Sequence, residues 1–353
     1  MRIRFLGTAA SRGWPVPECR CASCRRAAAE PRRPLAVHVE GSLQTALRAE
    51  GRTFFGGDSV LLECDPPEAS STPPDPLSAD RTSDAPSGRE RQGPGAWLPP
   101  DVAVVHADAP EAIGDLRRRG VVHDRTRFLL VGGGHGVHSP AELRRRAALW
   151  GAEAAADGQV VEVAPLPEPA EPVARRVLVT GGARSGKSAE AERRMLAEPR
   201  VVYVATGPRP EGDAAWVERV AAHRSRRPPW WRTEETGDAA AALDEAAGTG
   251  EAVLFDCAGT WLAGAMEEVG MWSDTPPADA RERLDRRIGE LLDAWRRFPG
   301  HSVAVTNEVG SGVVPATRSG GLFRDMLGRL NQGLAQESDE VLLAVSGRII
   351  ELP

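Results

Sequence analysis

Lysine is almost missing from this chain: of 44 basic side chains, only Lys187 is lysine and the rest are arginine. Aromatic residues are sparse as well, at 5 % of positions. No apolar run approaches the roughly 20 residues that a membrane-spanning helix needs, which excludes a membrane span. An excess of positive charge is also lacking. With a net charge of −6 and a pI near 5.8, the chain has no electrostatic footprint for nucleic acid. Arginine clusters such as Arg144-Arg145-Arg146 stand near acids and read as solvated helix faces. The start, Met1-Arg2-Ile3-Arg4-Phe5-Leu6-Gly7, holds too few apolar residues for a signal peptide and reads as a first strand. Cysteine is scarce and odd in number: five, three of them within six positions. That usage argues for a reducing compartment and a metal rather than disulfides, so the expected setting is the cytoplasm.

What is present begins with an ordinary globular composition, 41 % hydrophobic and 27 % charged over 353 residues, a length that favours two domains. The lone lysine stands in Val177-Leu178-Val179-Thr180-Gly181-Gly182-Ala183-Arg184-Ser185-Gly186-Lys187-Ser188. A β-branched run, a glycine-rich turn and an Ala- and Glu-rich helical segment follow one another there. Gly181, Gly186, Lys187 and Ser188 satisfy G-x-x-x-x-G-K-[ST], the phosphate-binding loop. In such a loop backbone N–H groups turn inward around the phosphates, the lysine reaches the β- and γ-phosphates, and the hydroxyl binds Mg²⁺. The helix that follows adds the positive end of its dipole. A compact ammonium has been kept where a planar fork would not serve. This is a nucleotide site.

Residues 1–163 read as a first domain. Pro17-Glu18-Cys19-Arg20-Cys21-Ala22-Ser23-Cys24 offers three thiolates from one tight loop, most of a tetrahedral Zn²⁺ site. His135 or His138, in Gly132-Gly133-Gly134-His135-Gly136-Val137-His138, could supply the fourth ligand; the competing reading is three incidental thiols. Val60–Asp65 reads as a strand, with Cys64 a core residue rather than a ligand. From Pro66 to Pro100 the chain is mostly Pro, Ser, Asp, Gly and Arg, and is expected to be a disordered insertion. Strands are expected at Val102–Val105 and Phe128–Val131, and a helix at Pro140–Trp150. Residues 164–173 form a proline-rich, semi-rigid linker.

Residues 174–353 alternate apolar runs with helical patterns, which predicts a doubly wound α/β domain with a mostly parallel sheet. Strands are expected at Arg176–Thr180, Val201–Thr206, Ala252–Asp256, His301–Thr306 and Glu340–Val345. Helices are expected at Ala189–Leu196, Ala214–Arg224, Ala280–Arg297 and Leu322–Gln336. Binding residues should then gather at the C-terminal ends of the strands. Asp256 ends one of them, where a carboxylate can hold Mg²⁺ together with Ser188; the bland reading is a turn cap. In Ala222-His223-Arg224-Ser225-Arg226-Arg227-Pro228, a histidine followed by arginines is usually a surface helix end. It is also what nucleotidyl transfer uses: a neutral ring nitrogen can attack the α-phosphate while cations stabilise the leaving pyrophosphate.

Two resemblances sharpen these expectations. The first domain resembles the metallo-β-lactamase fold, in the phosphodiesterase branch that opens with L-G-T and a C-x-C-x-x-C zinc loop, so a truncated αββα domain is implied. Where that family carries H-x-H-x-D-H, this chain has His106-Ala107-Asp108-Ala109-Pro110-Glu111, keeping only the first histidine. The resemblance therefore implies a degenerate relative with a structural or docking role; the rival is a live hydrolase.

The second domain resembles the bifunctional adenosylcobinamide kinase / adenosylcobinamide-phosphate guanylyltransferase family of cobalamin assembly. The runs that carry the likeness are Thr180–Ser188, Tyr203–Thr206, His223-Arg224 with Arg227-Pro228, Trp231–Glu235, Asp256-Cys257, Trp261-Leu262, Val305–Pro315, Phe323–Asp325, Gly328–Gln332 and Ser346-Gly347. The resemblance implies a P-loop NTPase-like fold and a two-step enzyme. A nucleoside triphosphate phosphorylates adenosylcobinamide; GTP then places GMP on a histidine, and the GMP passes to adenosylcobinamide phosphate. The guanylylated histidine falls on His223. Nucleotide contacts fall on Gly181, Gly182, Ala183, Arg184, Ser185, Gly186, Lys187 and Ser188. Further contacts fall on Thr206, Gly207 and Pro208, on Arg224, Ser225, Arg226 and Arg227, and on Glu235 and Asp256. A homotrimer is implied as well. Asn307-Glu308 reads either as a cap and turn or as a rim gripping the corrinoid side chain. The alternative for the whole is a GTP-dependent switch module whose front domain docks a partner.

Overall fold

The computed structural model describes residues 2–39, 42–44, 52–56, 59–64, 100–164, 166–167, 175–207, 218, 220–221 and 223–353. All but Pro100 of the expected insertion, most of the linker, most of the helix expected at Ala214–Arg224, and Pro208 lie outside them. The chain divides into two compact units, Met1–Pro169 and Ala170–Pro353.

In the first unit, alternation of apolar and polar residues builds two sheets. One has the order β3-β2-β1-β9, with β1 at Arg2–Gly7, β2 at Ala36–Val39, β3 at Ser42–Gln44 and β9 at Val160–Glu162, every pairing antiparallel. The other has the order β4-β5-β6-β7-β8, over Arg52–Gly56, Ser59–Cys64, Val102–His106, Arg127–Val131 and Ala152–Ala154. Its strands are parallel except for the β4–β5 hairpin. Ile3, Phe5, Val37 and Val39 from the first sheet share one core with Val102, Val104, Leu129 and Val131 from the second. Two inner faces thus bury each other, and β6 and β7 are buried on their other face as well. Helices α1 (Ala22–Ala27), α2 (Glu111–Arg118) and α3 (Pro140–Leu149) complete the described part of this unit.

The second unit is a seven-stranded sheet in the order β12-β11-β13-β14-β10-β15-β16. Its strands are β10 at Arg175–Gly181, β11 at Val201–Ala205, β12 at Arg232–Glu235, β13 at Ala252–Asp256, β14 at His301–Val305, β15 at Glu340–Val345 and β16 at Arg348–Leu352. All neighbours run parallel except β15 and β16, which form a hairpin at one edge. Both faces are buried, as parallel sheets require. Leu178, Val202, Val204, Val253, Phe255 and Ala304 point into a core with Trp261, Leu284, Leu291 and Trp295. The alternate residues Val177, Val179, Val201, Tyr203, Leu254, Val303 and Val305 enter a second core. Helices with bounds among the described residues are α4 at Lys187–Met195, α5 at Ala239–Thr249, α6 at Ala258–Glu268, α7 at Ala280–Arg297 and α8 at Arg318–Gln336; Glu218, Val220, Ala221, His223 and Arg224 are helical too.

The strands expected from apolar runs are present to within a residue at either end, and α7 spans its expected residues. Among the elements given above, the periodicity reading missed β2, β3, β4, β8, β9, α1 and α2 in the first unit and four in the second. Strand β12 is Arg-Thr-Glu-Glu, a polar run that pairs only with β11 on one side of the sheet. Helix α5 starts as a run of alanines, so its buried stripe of Ala239, Ala242, Leu243 and Ala246 does not stand out in the sequence; an Asp238 cap accepts from Ala241 N at 3.0 Å. Helix α6 is apolar almost throughout because it is buried, and β16 is mostly exposed.

Register decides what the sheet can present. Gly181 pairs with Ala344, Val179 with Val305, Val305 with Asp256, Asp256 with Ala205, and Ala205 with Glu235. Five strand ends therefore close at one edge of the sheet. Beyond β14, Thr306 donates its hydroxyl to Asn331 Oδ1 at 2.6 Å, and Asn331 Nδ2 donates to Asn307 O at 3.0 Å. This bridge ties the loop after β14 to α8. Replacing Asn331 by Ala orphans the buried Thr306 hydroxyl and should lower unfolding stability by about 1–3 kcal/mol. A chemical-denaturation midpoint equal to that of the parent chain would contradict this.

Candidate nucleotide site

The loop between β10 and α4 depends on glycine at two points. A Cβ on Gly181 would lie 2.5 Å from Ala344 O, and Gly186 sits at φ +98°, a conformation that L side chains rarely adopt. The turn is held from both sides. Glu308 N donates to Gly181 O at 3.2 Å, and Gly347 N donates to Ser185 O at 2.8 Å. Lys187, buried at the first turn of α4, reaches back across the loop to donate to Gly182 O at 3.0 Å. Gly182, Ala183 and Arg184 are exposed, and Ser188 is half-buried. Ser185 Oγ and Thr180 Oγ1 are buried and have no hydrogen-bond partner. A buried hydroxyl without a partner in a glycine turn is a donor set that fits an oxyanion.

The other expected residues gather at the neighbouring strand ends. Asp256 Oδ2 accepts from the Tyr203 hydroxyl at 2.8 Å. Burial first, and the Asp256 carboxylate second, push the Tyr203 phenol above its ordinary value, so it remains a donor. The Arg227 guanidinium carbon lies 3.3 Å from the centre of the Tyr203 ring, a cation–π stack, and burial lowers the Arg227 pKa. His223 has its Nδ1 3.4 Å from Glu192 Oε1 and 4.0 Å from Asp256 Oδ2. Arg226 grips Glu192 through both oxygens, Nε to Oε2 at 2.6 Å and a terminal nitrogen to Oε1 at 2.9 Å. Arg224 pairs with Glu235 at 2.7 Å. Thr206 Oγ1 donates to Cys257 O at 2.8 Å and lies 3.0 Å from Thr260 Oγ1. Gly207 follows directly after Thr206, Ser225 N donates to Ala221 O at 2.9 Å, and Pro208 lies outside the described residues.

The rim residues behave differently. Glu308 Oε1 accepts from Gly310 N at 3.1 Å, and Arg324 donates to Gly310 O at 2.6 Å. These bonds shape the loop after β14 from within the chain. Two residues beside His223 went unnoticed in the sequence, or nearly so. Glu192 was passed over as one acid in a charged helix, although it lies four residues after Ser188 and hence on the same helix face. Tyr203 stood out only as part of a longer run, yet it is the chain's one tyrosine.

With this geometry in hand, the comparisons with known proteins decide the family. The model of the family described as cobinamide kinase / cobinamide phosphate guanyltransferase matches residues 177–352. The bifunctional adenosylcobalamin biosynthesis protein CobU of Salmonella typhimurium is 41 % identical over 177 residues, covering 48 % of this chain and 96 % of that protein. The chain belongs to this family. Its Escherichia coli relative CobU is 39 % identical over 175 residues, and the Pseudomonas aeruginosa relative CobP 38 % identical over 175. They cover 48 % and 49 % of this chain, and 96 % and 94 % of the respective relatives. Among solved structures, an ATPase from the type III secretion system of pathogenic bacteria aligns with 48 % of this chain and 51 % of its own, at 13 % identity and a TM-score of 0.33. That likeness is too loose to bear on the site. Residues 177–352, the family segment, thus contain the phosphate loop, His223 and Asp256 together.

A second group of candidate ligands lies in the first unit. Cys19, Cys21, Cys24 and His135 bring their ligand atoms within 4.8 Å of one another. Local bonds explain the convergence. Cys21 caps α1, its sulfur accepting from Cys24 N at 3.4 Å. Ser23 Oγ donates to Val137 O at 2.6 Å, which pins the glycine loop carrying His135 against α1. Of the two histidines left open by the sequence, His135 is the one in the cluster. His106 meets Asp108 at 3.5 Å, and no other cluster of three or more candidate ligands occurs among the described residues.

Proposed function

We infer that this chain carries out both reactions of its family. A nucleoside triphosphate, ATP or GTP, phosphorylates the aminopropanol hydroxyl of adenosylcobinamide. GTP then gives GMP to His223 with loss of pyrophosphate, and adenosylcobinamide phosphate takes the GMP to become adenosylcobinamide-GDP. The observation that carries the reading is the position of the His223 ring. It stands against Glu192 on the helix of the phosphate loop and against Asp256 at the end of β13. Strand β13 is two strand spacings from β10, so roughly 10 Å separate their ends, within the length of a triphosphate.

In this reading the amides of Gly181–Ser188 and the Lys187 ammonium bind the β- and γ-phosphates, and the unsatisfied Ser185 hydroxyl becomes a donor to them. Arg224, Arg226 and Arg227 stabilise charge on the departing pyrophosphate. Thr206, Gly207, Pro208, Ser225 and Glu235 contribute the remaining nucleotide contacts. Ser188 and Asp256 form an all-oxygen pair suited to Mg²⁺, a hard cation that would neutralise phosphate charge when bound. A homo-oligomer belongs to the same reading. Val313 and Val314, 94 % and 69 % exposed after β14, supply apolar surface for a second copy.

For the first unit we propose a degenerate metallo-β-lactamase-like domain that ends before the 164–173 linker and keeps a structural zinc. Three thiolates and one imidazole match the donors and number of a closed tetrahedral zinc site. The segment His106-Ala107-Asp108-Ala109-Pro110-Glu111, which keeps only the first histidine of the H-x-H-x-D-H pattern, supports the loss of a two-metal centre.

Two experiments test these readings. Incubated with adenosylcobinamide, GTP and Mg²⁺, the parent chain should form adenosylcobinamide-GDP, while His223→Ala should stop at adenosylcobinamide phosphate, both read by mass spectrometry. A His223→Ala chain that still makes the final product contradicts the histidine's role. Elemental analysis of the purified protein should find about one zinc per chain, falling to a small fraction in Cys21→Ser. A metal content unaffected by that change would contradict the zinc assignment.

A further inference from the structure

Helix α4 carries two functional groups on one face. Ser188 opens it beside the phosphate loop, and Glu192 follows one turn later, a rise of about 6 Å. Glu192 is an unusual acid. Its side chain is 5 % exposed and both oxygens are spanned by Arg226, so the carboxylate is held in one orientation. The same Oε1 that accepts from Arg226 is also the carboxylate oxygen nearest His223 Nδ1. That ring nitrogen is buried and lacks a hydrogen bond of good geometry, its nearest acceptors being Glu192 at 3.4 Å and Asp256 at 4.0 Å. Asp256 already accepts from Tyr203 through that same oxygen, Oδ2. Glu192 is therefore the better-placed acceptor for a proton on Nδ1.

We propose that Glu192 is a positioning residue for the nucleotidyl-transfer step: it holds the His223 proton on Nδ1 and leaves the Nε2 lone pair free to attack. The proposal rests on the reading of His223 as the nucleophile. Nε2 donates its electron pair to the α-phosphorus of GTP, forming a P–N bond while the bond from that phosphorus to the bridging oxygen breaks. Pyrophosphate leaves with the bond pair. The ring keeps its Nδ1 proton and becomes cationic, and the Glu192 carboxylate faces the new charge. In the second half-reaction a phosphate oxygen of adenosylcobinamide phosphate attacks the same phosphorus, the P–N pair returns to Nε2, and the neutral tautomer is restored. Contacts this long before substrate binds are expected to tighten in the complex.

The arrangement also links two events. The helix that senses phosphate at its first turn carries, one turn on, the group that sets the nucleophile. Arg226 has a defined part here: its fork keeps Glu192 aimed, and the Glu192 bond in turn raises the Arg226 pKa.

The test combines ring-nitrogen NMR of ¹⁵N-histidine-labelled protein with single-turnover uptake of α-phosphate-labelled GTP. The parent chain should show His223 protonated on Nδ1, and Glu192→Ala should shift the ring measurably toward the Nε2–H form. Glu192→Gln keeps an acceptor but loses the charge, and should slow GMP uptake at saturating GTP at least tenfold. The GTP concentration for half-maximal uptake should move far less than the rate. A parent ring protonated on Nε2, or uptake within twofold of the parent in both variants, overturns the proposal. A parent chain that takes up no GMP overturns the nucleophile reading and this proposal with it. The tautomer is measured on the parent chain, so the test does not depend on either variant folding.

Discussion

The constraint on which this molecule depends is the parallel register of four adjacent strands. Setting Val179 against Val305, Val305 against Asp256, and Asp256 against Ala205 forces the loops that follow to open on one edge of the sheet. Everything chemical is then a matter of what those loops carry. Strand β10 ends in a turn that only glycine can make, β13 ends in a carboxylate, and β11 brings a phenol within hydrogen-bond distance of that carboxylate. Shifting one strand by a residue would turn its side chains to the opposite face and dissolve the grouping. The two apolar cores that sandwich the sheet hold the register, and so they hold the site.

Charge inside the site is arranged in matched pairs. Glu192 meets Arg226, Glu235 meets Arg224, and Arg227 lies on the face of Tyr203 rather than on an acid. Three arginines are thereby kept close to the strand ends without an anion present. The fold itself thus meets the cost of bringing these cations together. The single lysine is held differently, against a backbone carbonyl of its own loop.

Much of this was legible in the sequence, for reasons that can be named. The phosphate loop declares itself because its glycines are required by backbone geometry and its lysine by charge. The central strands do so because burial on both faces leaves continuous apolar runs. Strand β12 did not, since an edge strand made of Arg-Thr-Glu-Glu has no apolar face to display. Helix α5 hid for the opposite reason: alanine fits a helix anywhere and marks no side. Glu192 was illegible because a buried acid and a solvated one are the same letter; only packing distinguishes them. The choice between His135 and His138 was likewise open until the Ser23 bond to Val137 fixed the loop. Cys64 lies in a strand whose side chains are outside the described residues, and its role stays with the sequence argument.

The central claim is that one imidazole at the edge of this sheet takes a nucleotide onto itself. Peptide mapping of the protein after brief exposure to GTP and Mg²⁺ addresses it most directly, because His223 and Lys187, another side-chain nitrogen placed at the triphosphate, fall on different fragments. The account predicts one GMP per chain, on the fragment containing His223. GMP on the Lys187 fragment, or on no fragment at all, would contradict it.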